Sequence, residues 1–179
     1  MKSKIFLSVL ITLIIVQYSN AQTKRLSVGF VGSYFDNTDN QNKLTNAKDP
    51  YAYGIVLGYQ LSNNVIAALT TEYSKADLEN SLGTQKDLRV HLSAYYLPFS
   101  VDRLHPYLSA GFVFTNRNTE FESSSSNIKN FFNGRVGAGI DYSLIQNLNL
   151  NVDFGFYNNG YNFVGISSSI GLRYGLNLN

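Results

Sequence analysis

The sequence predicts an all-β fold, an eight-stranded antiparallel up-and-down barrel, and three observations predict it. Apolar and polar residues alternate with period two through most of the chain, the sign of strands with two unlike faces. The connections between the alternating runs are by turns long and short, which puts long loops on one rim and short turns on the other. An even strand count also brings both ends of the sheet to the same rim.

The first residues read as an export signal. Lys2 and Lys4 form a charged start, Ile5 to Val16 an apolar core, and Ser19-Asn20-Ala21 a small-residue site with cleavage expected before Gln22. The apolar core is short of the about 20 residues of a helical membrane span. The expected division is therefore a signal peptide over 1–21 and a β-barrel domain over 22–179. The whole chain has 14 basic and 12 acidic residues. Without Lys2 and Lys4 the count is 12 against 12, so no basic excess remains to bind nucleic acid. There is no cysteine, which excludes disulfide staples and thiolate metal sites.

The strands follow in order. Arg25 to Phe35 is the first, with Leu26, Val28, Phe30 and Tyr34 on one face. The polar stretch Asp36–Pro50 is a long loop. Tyr51 to Leu61 is the second strand, its face built from Tyr51, Tyr53, Ile55, Leu57 and Tyr59, and Ser62-Asn63-Asn64 is a tight turn. Val65 to Lys75 is the third, Ala76–Lys86 a second long loop, and the fourth sets Leu88, Val90, Leu92, Ala94 and Tyr96 against Asp87, Arg89, His91, Ser93 and Tyr95. Pro98–His105 reads as a turn bracketed by prolines. Pro106 to Arg117 is the fifth strand, and Asn118–Lys129, with its serine run, the third long loop.

The clearest pair is Asn133 to Tyr157, which turns at Ser143–Asn147 between the sixth and seventh strands. Val136, Ala138, Ile140 and Tyr142 continue in Leu148, Leu150, Val152, Phe154 and Phe156 on one face. After Asn158-Asn159-Gly160, the eighth strand runs from Phe163 to about Leu178.

Alternation alone does not say which face meets water. The polar face is built from Gly, Ser, Ala and Asn, and the lysines fall at strand ends, tails and loops, whereas a soluble barrel needs many charges on its outside. The mid-strand charges Glu72, Arg89, Arg135, Asp141, Asp153 and Arg173 all share the polar face, and a cation turned to the mid-bilayer costs about 2–4 kcal/mol. Tyr34, Tyr51, Tyr53, Tyr59, Tyr73, Tyr96, Tyr142 and Tyr174 cluster at the ends of the apolar stripes, where amphipathic rings suit a membrane boundary. The expectation is an eight-stranded antiparallel up-and-down transmembrane β-barrel. Its apolar side faces lipid and its charges lie inside.

The segments P-Y-L-S-A-G-F-V-F at 106–114 and G-A-G-I-D-Y-S-L-I-Q-N-L-N-L-N-V-D-F at 137–154 resemble strands of the OmpA/OmpX-like small outer-membrane barrels. The resemblance runs over the mature chain. It implies the outer membrane of a Gram-negative-type bacterium, reached with the help of periplasmic chaperones and the barrel assembly machinery. Such barrels commonly end on an aromatic residue, whereas here the last aromatic is Tyr174 before Leu176-Asn177-Leu178-Asn179. No peptidoglycan-binding domain is expected after the last strand.

Candidate chemistry centres on Glu72, Arg89, His91, Arg135, Asp141, Asp153 and Arg173, expected to form a polar and charged network in the lumen. Eight strands enclose room for side chains and little else, which favours mutual neutralisation over an ionic path. His91 beside Arg89 and Ser93 raises a Ser/His/acid hydrolase, for which the sequence shows no geometry. His105 reads as a solvated turn residue, and two distant histidines do not make a metal site. Gly134-x-x-Gly137-x-Gly139 lacks the strand-to-helix context of a phosphate loop; small residues of a curved strand explain it better.

The expected function is non-catalytic: a structural part in the envelope, surface interaction through the long loops, or both. Phe121, between Glu120 and Glu122, is a candidate contact. A narrow channel for ions or very small solutes is the alternative, and a lipid A-modifying enzyme a third reading. No catalytic, metal or cofactor-binding residue is assigned and no cofactor is expected. The expected partners are outer-membrane lipids and lipopolysaccharide, with the loop ligand unknown, no nucleic acid, and a monomeric state.

Overall fold

A computed structural model describes residues 25–37, 51–78, 83–122, 126–158 and 163–177. It shows a closed barrel of eight strands, each hydrogen-bonded to its sequence neighbours and the last to the first. The strands are β1 (Arg25–Asn37), β2 (Tyr51–Ser62), β3 (Val65–Asp77), β4 (Gly83–Tyr96), β5 (Leu104–Phe121), β6 (Ser126–Ile145), β7 (Leu148–Asn158) and β8 (Phe163–Asn177). Every pairing is antiparallel, and β1 closes on β8 from Arg25↔Asn177 to Asn37↔Gly165.

The two faces separate as the alternation requires. Phe30, Ile55, Leu92, Leu108, Phe112, Val136, Ile140, Phe154 and Ile170 are exposed on the outer wall, whereas Glu72, Asp87, Arg89, Arg135, Asp141, Asp153 and Arg173 are buried inside. The apolar cluster within is small, being Phe35, Val113 and Tyr157. Tyrosine pairs rim the outer wall towards the long-loop side, with Tyr34 and Tyr51 at 5.5 Å and Tyr53 and Tyr73 at 5.8 Å between ring centroids. Tyr96, Tyr142 and Tyr174 are exposed towards the other rim.

The short turns are tight. Register shifts sit beside two of them, between Gln60 and Ser62 and between Ser143 and Ile145. One extra residue there bends the strand into its reversal. The β4–β5 turn closes with Val101 and Leu104 bonded in both directions, at 2.9 and 2.8 Å. Asp102 takes a φ of 50° within it, a conformation a short polar side chain tolerates.

Four expected boundaries are corrected. The loop expected over 76–86 shrinks: Ala76 and Asp77 finish β3, Leu78 donates to the Gly83 carbonyl at 2.9 Å, and β4 starts at Gly83. The loop expected over 118–129 is mostly ladder, since β5 runs to Phe121 and β6 starts at Ser126, paired through Glu120↔Ser126. Lys86 and Lys129 are accordingly strand residues. A ladder needs only backbone partners, so it continues where the side chains no longer alternate. Third, Leu104 and His105 also belong to β5, opposite Tyr142 and Asp141; Pro106 then follows near the strand start, where a missing donor costs least. Fourth, the β6–β7 turn is only Gln146-Asn147. The signal segment, residues 38–50 of the first long loop, and residues 79–82 and 123–125 of the others lie outside the described residues, while Phe121, the expected contact, ends β5 half-buried.

Ala138 stands on the outer wall between Leu108 and Phe154. Ala138→Arg is expected to destabilise the barrel by about 2–4 kcal/mol in urea unfolding from lipid vesicles, and Asn130→Arg, above the apolar belt, by at most about 1 kcal/mol.

Candidate functional site

Among the described residues the buried charged side chains converge in the lumen, because the strands turn their polar parity there. From the long-loop rim downward it is a stack of paired groups.

At the top Asp87, fully buried, accepts from Arg117 through Nε and a terminal nitrogen, both at 2.9 Å, from Arg89 at 3.0 Å and from Gln85 at 3.3 Å. The two guanidiniums also lie over rings, Arg117 over Phe131 and Arg89 over Phe35. Charge-assisted, bidentate contacts of this sort are the strong ones. Below, Glu72 accepts from Ser33 Oγ at 3.0 Å. His91 Nε2 approaches the other Glu72 oxygen to 3.0 Å without the alignment of a hydrogen bond. Tyr157 packs edge-on against both Phe35 and His91.

The next layer joins Arg135 to Asp153, with Arg135 also donating to Ser109 Oγ at 2.9 Å and Tyr107 donating to Asp153 at 3.0 Å. Below it Arg173 pairs with Asp141, and Asn151 donates both to Asp141 at 2.9 Å and to the Tyr107 hydroxyl at 2.7 Å. Tyr95 and Tyr107 meet at 5.0 Å between centroids, with Arg173 over the Tyr95 ring. His105 lies 3.1 Å from Ser143 Oγ, which donates to Asn149.

All seven side chains named from the sequence are thus buried in the lumen. Asp87, Arg117, Tyr107 and Phe35 complete their network and were not among them. Asp87 and Tyr107 carried the parity signal; Arg117 stood at an assumed strand end, and Phe35 read as an end residue. Of the four buried carboxylates, Asp87 meets two guanidiniums, from Arg89 and Arg117, Asp153 and Asp141 meet one each, from Arg135 and Arg173, and Glu72 lies against His91; the described lumen thus holds four carboxylates and four guanidiniums. Burying an ion is tolerable only with a well-placed partner, and the balance is complete without a counter-ion from outside.

The glycines of β6 and β7 make room for these groups. A Cβ on Gly155 would stand 2.5 Å from the Arg135 guanidinium, and one on Gly139 would stand 2.3 Å from the Tyr107 hydroxyl. They are clearances in a strand pair. Among the described residues a cavity of about 40 Å³ is lined by Glu72, His91, Ser93, Arg135, Asp153 and Arg173 among others, space for a few waters.

Ser93, the serine expected beside His91, is buried on the same face, and among the described residues the imidazole's close neighbour is Glu72 and not Ser93. Ser33 bonds to Glu72, and Glu72 lies against His91, so the carboxylate separates serine from imidazole. A hydrolase needs the imidazole in the middle. Among the described residues no three His, Asp or Glu gather as metal ligands.

The family model for the outer membrane protein beta-barrel domain matches residues 6–177. The chain belongs to that family. Its barrel is an outer-membrane β-barrel domain, and solved structures agree on the fold. The N-terminal barrel of Pseudomonas aeruginosa OprF superposes with a TM-score of 0.66 at 18% identity, covering 87% of this chain and 100% of that one. Neisserial surface protein A gives 0.61 at 15% identity, with 84% and 96% covered. Ail of Yersinia pestis, solved with the heparin analogue sucrose octasulfate, gives 0.60 at 13% identity, with 86% and 98% covered. No curated protein sequence matches the chain.

The pairing makes unequal demands on its arginines. Arg135→Ala, which leaves Asp153 buried with only a tyrosine hydroxyl, is expected to cost about 3–5 kcal/mol of stability in urea unfolding. Arg89→Ala should cost distinctly less, because Asp87 keeps both bonds from Arg117. Equal losses would mean that the layers are not separate pairs.

Proposed function

We propose that this outer-membrane barrel is non-catalytic and non-conducting, a rigid membrane-anchored scaffold that serves envelope structure and holds an extracellular surface for interaction. The observation that carries the proposal is the self-neutralised lumen. Arginine, histidine and carboxylate side chains from β3, β4, β5, β6, β7 and β8 pair inside the lumen, mostly between neighbouring strands, and a passing ion would meet partnered rather than free charges. The triad-forming order is missing at His91, which supports the non-catalytic reading over lipid A chemistry.

In this reading residues 1–21 direct export and are removed before Gln22. Periplasmic chaperones and the assembly machinery insert the barrel as a monomer, and lipid with lipopolysaccharide surrounds its belt. The short turns face the periplasm, and β3 to β6 carry the extracellular surface.

Planar-bilayer recording of the purified, refolded barrel is expected to show no stepwise conductance. Discrete openings that persist in a preparation shown to be pure would refute the scaffold reading in favour of a channel. Mass spectra of lipid A from cells with and without the protein should be identical; a mass difference that tracks with expression would establish an enzyme instead.

A further inference from the structure

The short turns are unlike one another. β2–β3 and β6–β7 reverse on Asn63-Asn64 and Gln146-Asn147, side chains that suit water. β4 and β5 are instead joined by residues 97–103, Leu-Pro-Phe-Ser-Val-Asp-Arg. The apolar side chains of this lip stay uncovered, Phe99 being 59% and Val101 56% exposed, and Leu104, Leu144 and Ile145 beside them are exposed as well. One sector of the short-turn rim is therefore apolar where the other reversals are polar.

Backbone bonds hold the lip in place. Leu97 donates to the Asn64 carbonyl at 2.8 Å, Val101 and Leu104 bond in both directions, and Ser143 donates to the Arg103 carbonyl at 2.8 Å. The pairing also sets its direction. Residues directly opposite in an antiparallel pair present their side chains on one face, so Val101 shares the face of Leu104. Leu104 in turn stands opposite Tyr142 on the outer parity of Leu108. The apolar surface thus continues from the lipid-facing wall at Leu108 through Pro106 and Leu104 to Val101. Phe99 lies beyond Tyr96, the outer ring that ends β4, by about 10 Å of chain at about 3.4 Å per residue, or about 8 Å in depth at a strand tilt of about 35–45°. The headgroup layer beside the hydrocarbon is about 5–8 Å thick, so the lip ends within it.

We propose that residues 97–104, with Leu144 and Ile145, form an interfacial anchor embedded among the phospholipid headgroups at the short-turn rim. Phe99 and Val101 reach the acyl boundary, and Arg103 lies beside the lipid phosphates. Phospholipid is the occupant because the patch extends the lipid-facing wall, and because apolar side chains flanked by a cation suit the headgroup–acyl boundary. Arg103 is exposed and makes no ion pair among the described residues, so its guanidinium is free for a phosphate. Anchoring one sector and not the others fixes how the barrel tilts and rotates against the bilayer. The inference rests on the lipid-facing outer wall and goes beyond the scaffold reading.

The chain has no tryptophan, so a single introduced indole reports its own depth. Phe99→Trp, Asn63→Trp on a polar turn and Leu108→Trp in the belt are each refolded into phosphatidylcholine vesicles, with and without bromine on the acyl chains near the headgroup. Phe99→Trp should emit to the blue of Asn63→Trp and lose about twofold or more of its intensity in brominated lipid, approaching Leu108→Trp. Adding Val101→Asp to Phe99→Trp should restore most of that intensity, because the new charge lifts the lip towards water. Emission from Phe99→Trp as in water would overturn the inference, and so would equal quenching of Asn63→Trp. Quenching that Val101→Asp leaves unchanged would show that the indole anchors itself, and would overturn it too. Blue emission without bromine quenching would put a second copy over the lip in place of lipid. Both leaflets hold the same lipid, so the outcome does not depend on the barrel's sidedness. Nor does it bear on conductance, so failure of the anchor and failure of the scaffold reading remain distinguishable.

Discussion

Hydrocarbon offers a backbone amide nothing to bond to, and the closure of β1 on β8 is the answer on which the rest of the molecule depends. An open sheet would leave two rows of polar groups in lipid, whereas a closed ladder leaves none. The thirteen residue pairs from Arg25↔Asn177 to Asn37↔Gly165 turn a sheet into a cylinder. They also fix that one parity of every strand points inward. The outer wall can then be Phe30, Leu108, Val136 and Phe154, because lipid replaces the core that a soluble protein would need.

That inversion moves the packing problem into the lumen. Eight strands leave an interior that side chains fill, and the polar parity must fill it without stranding charge. The chain does so by layering: Asp87 with Arg89 and Arg117, Glu72 with His91, Asp153 with Arg135, Asp141 with Arg173. Rings fill the spaces between layers, with Phe35, Tyr157, Tyr95 and Tyr107 lying against guanidiniums or one another. Glycine at 139 and 155 is what lets Tyr107 and Arg135 reach inward. The same layering that stabilises the barrel is what the non-conducting proposal rests on.

The sequence shows the faces clearly because side-chain direction repeats every two residues whatever the strand pairs with. Arg135 and Asp153 share the inner parity by simple count. Which arginine meets which carboxylate is set by register and shear, which periodicity does not carry; Asp87 and Arg117 meet because their strands pair there. Strand ends were legible only where the alternation stops at a turn, as at Asn63-Asn64. Above the belt both faces become polar, and Asn118–Lys129 reads as loop although most of it is ladder. His105 was misplaced for a similar reason, since a proline beside it reads as a break in a strand that in fact starts one residue earlier, at Leu104.

The most direct test of a lipid-facing wall around a charged lumen is a nitroxide scan. The chain has no cysteine, so single cysteines along Asn133–Tyr142 can each carry one spin label in a lipid bilayer. Oxygen collision rates should peak at Phe132-side even positions, namely 134, 136, 138, 140 and 142, and fall at 133, 135, 137, 139 and 141. Rates that are high at the odd positions, or that show no period of two, would contradict it.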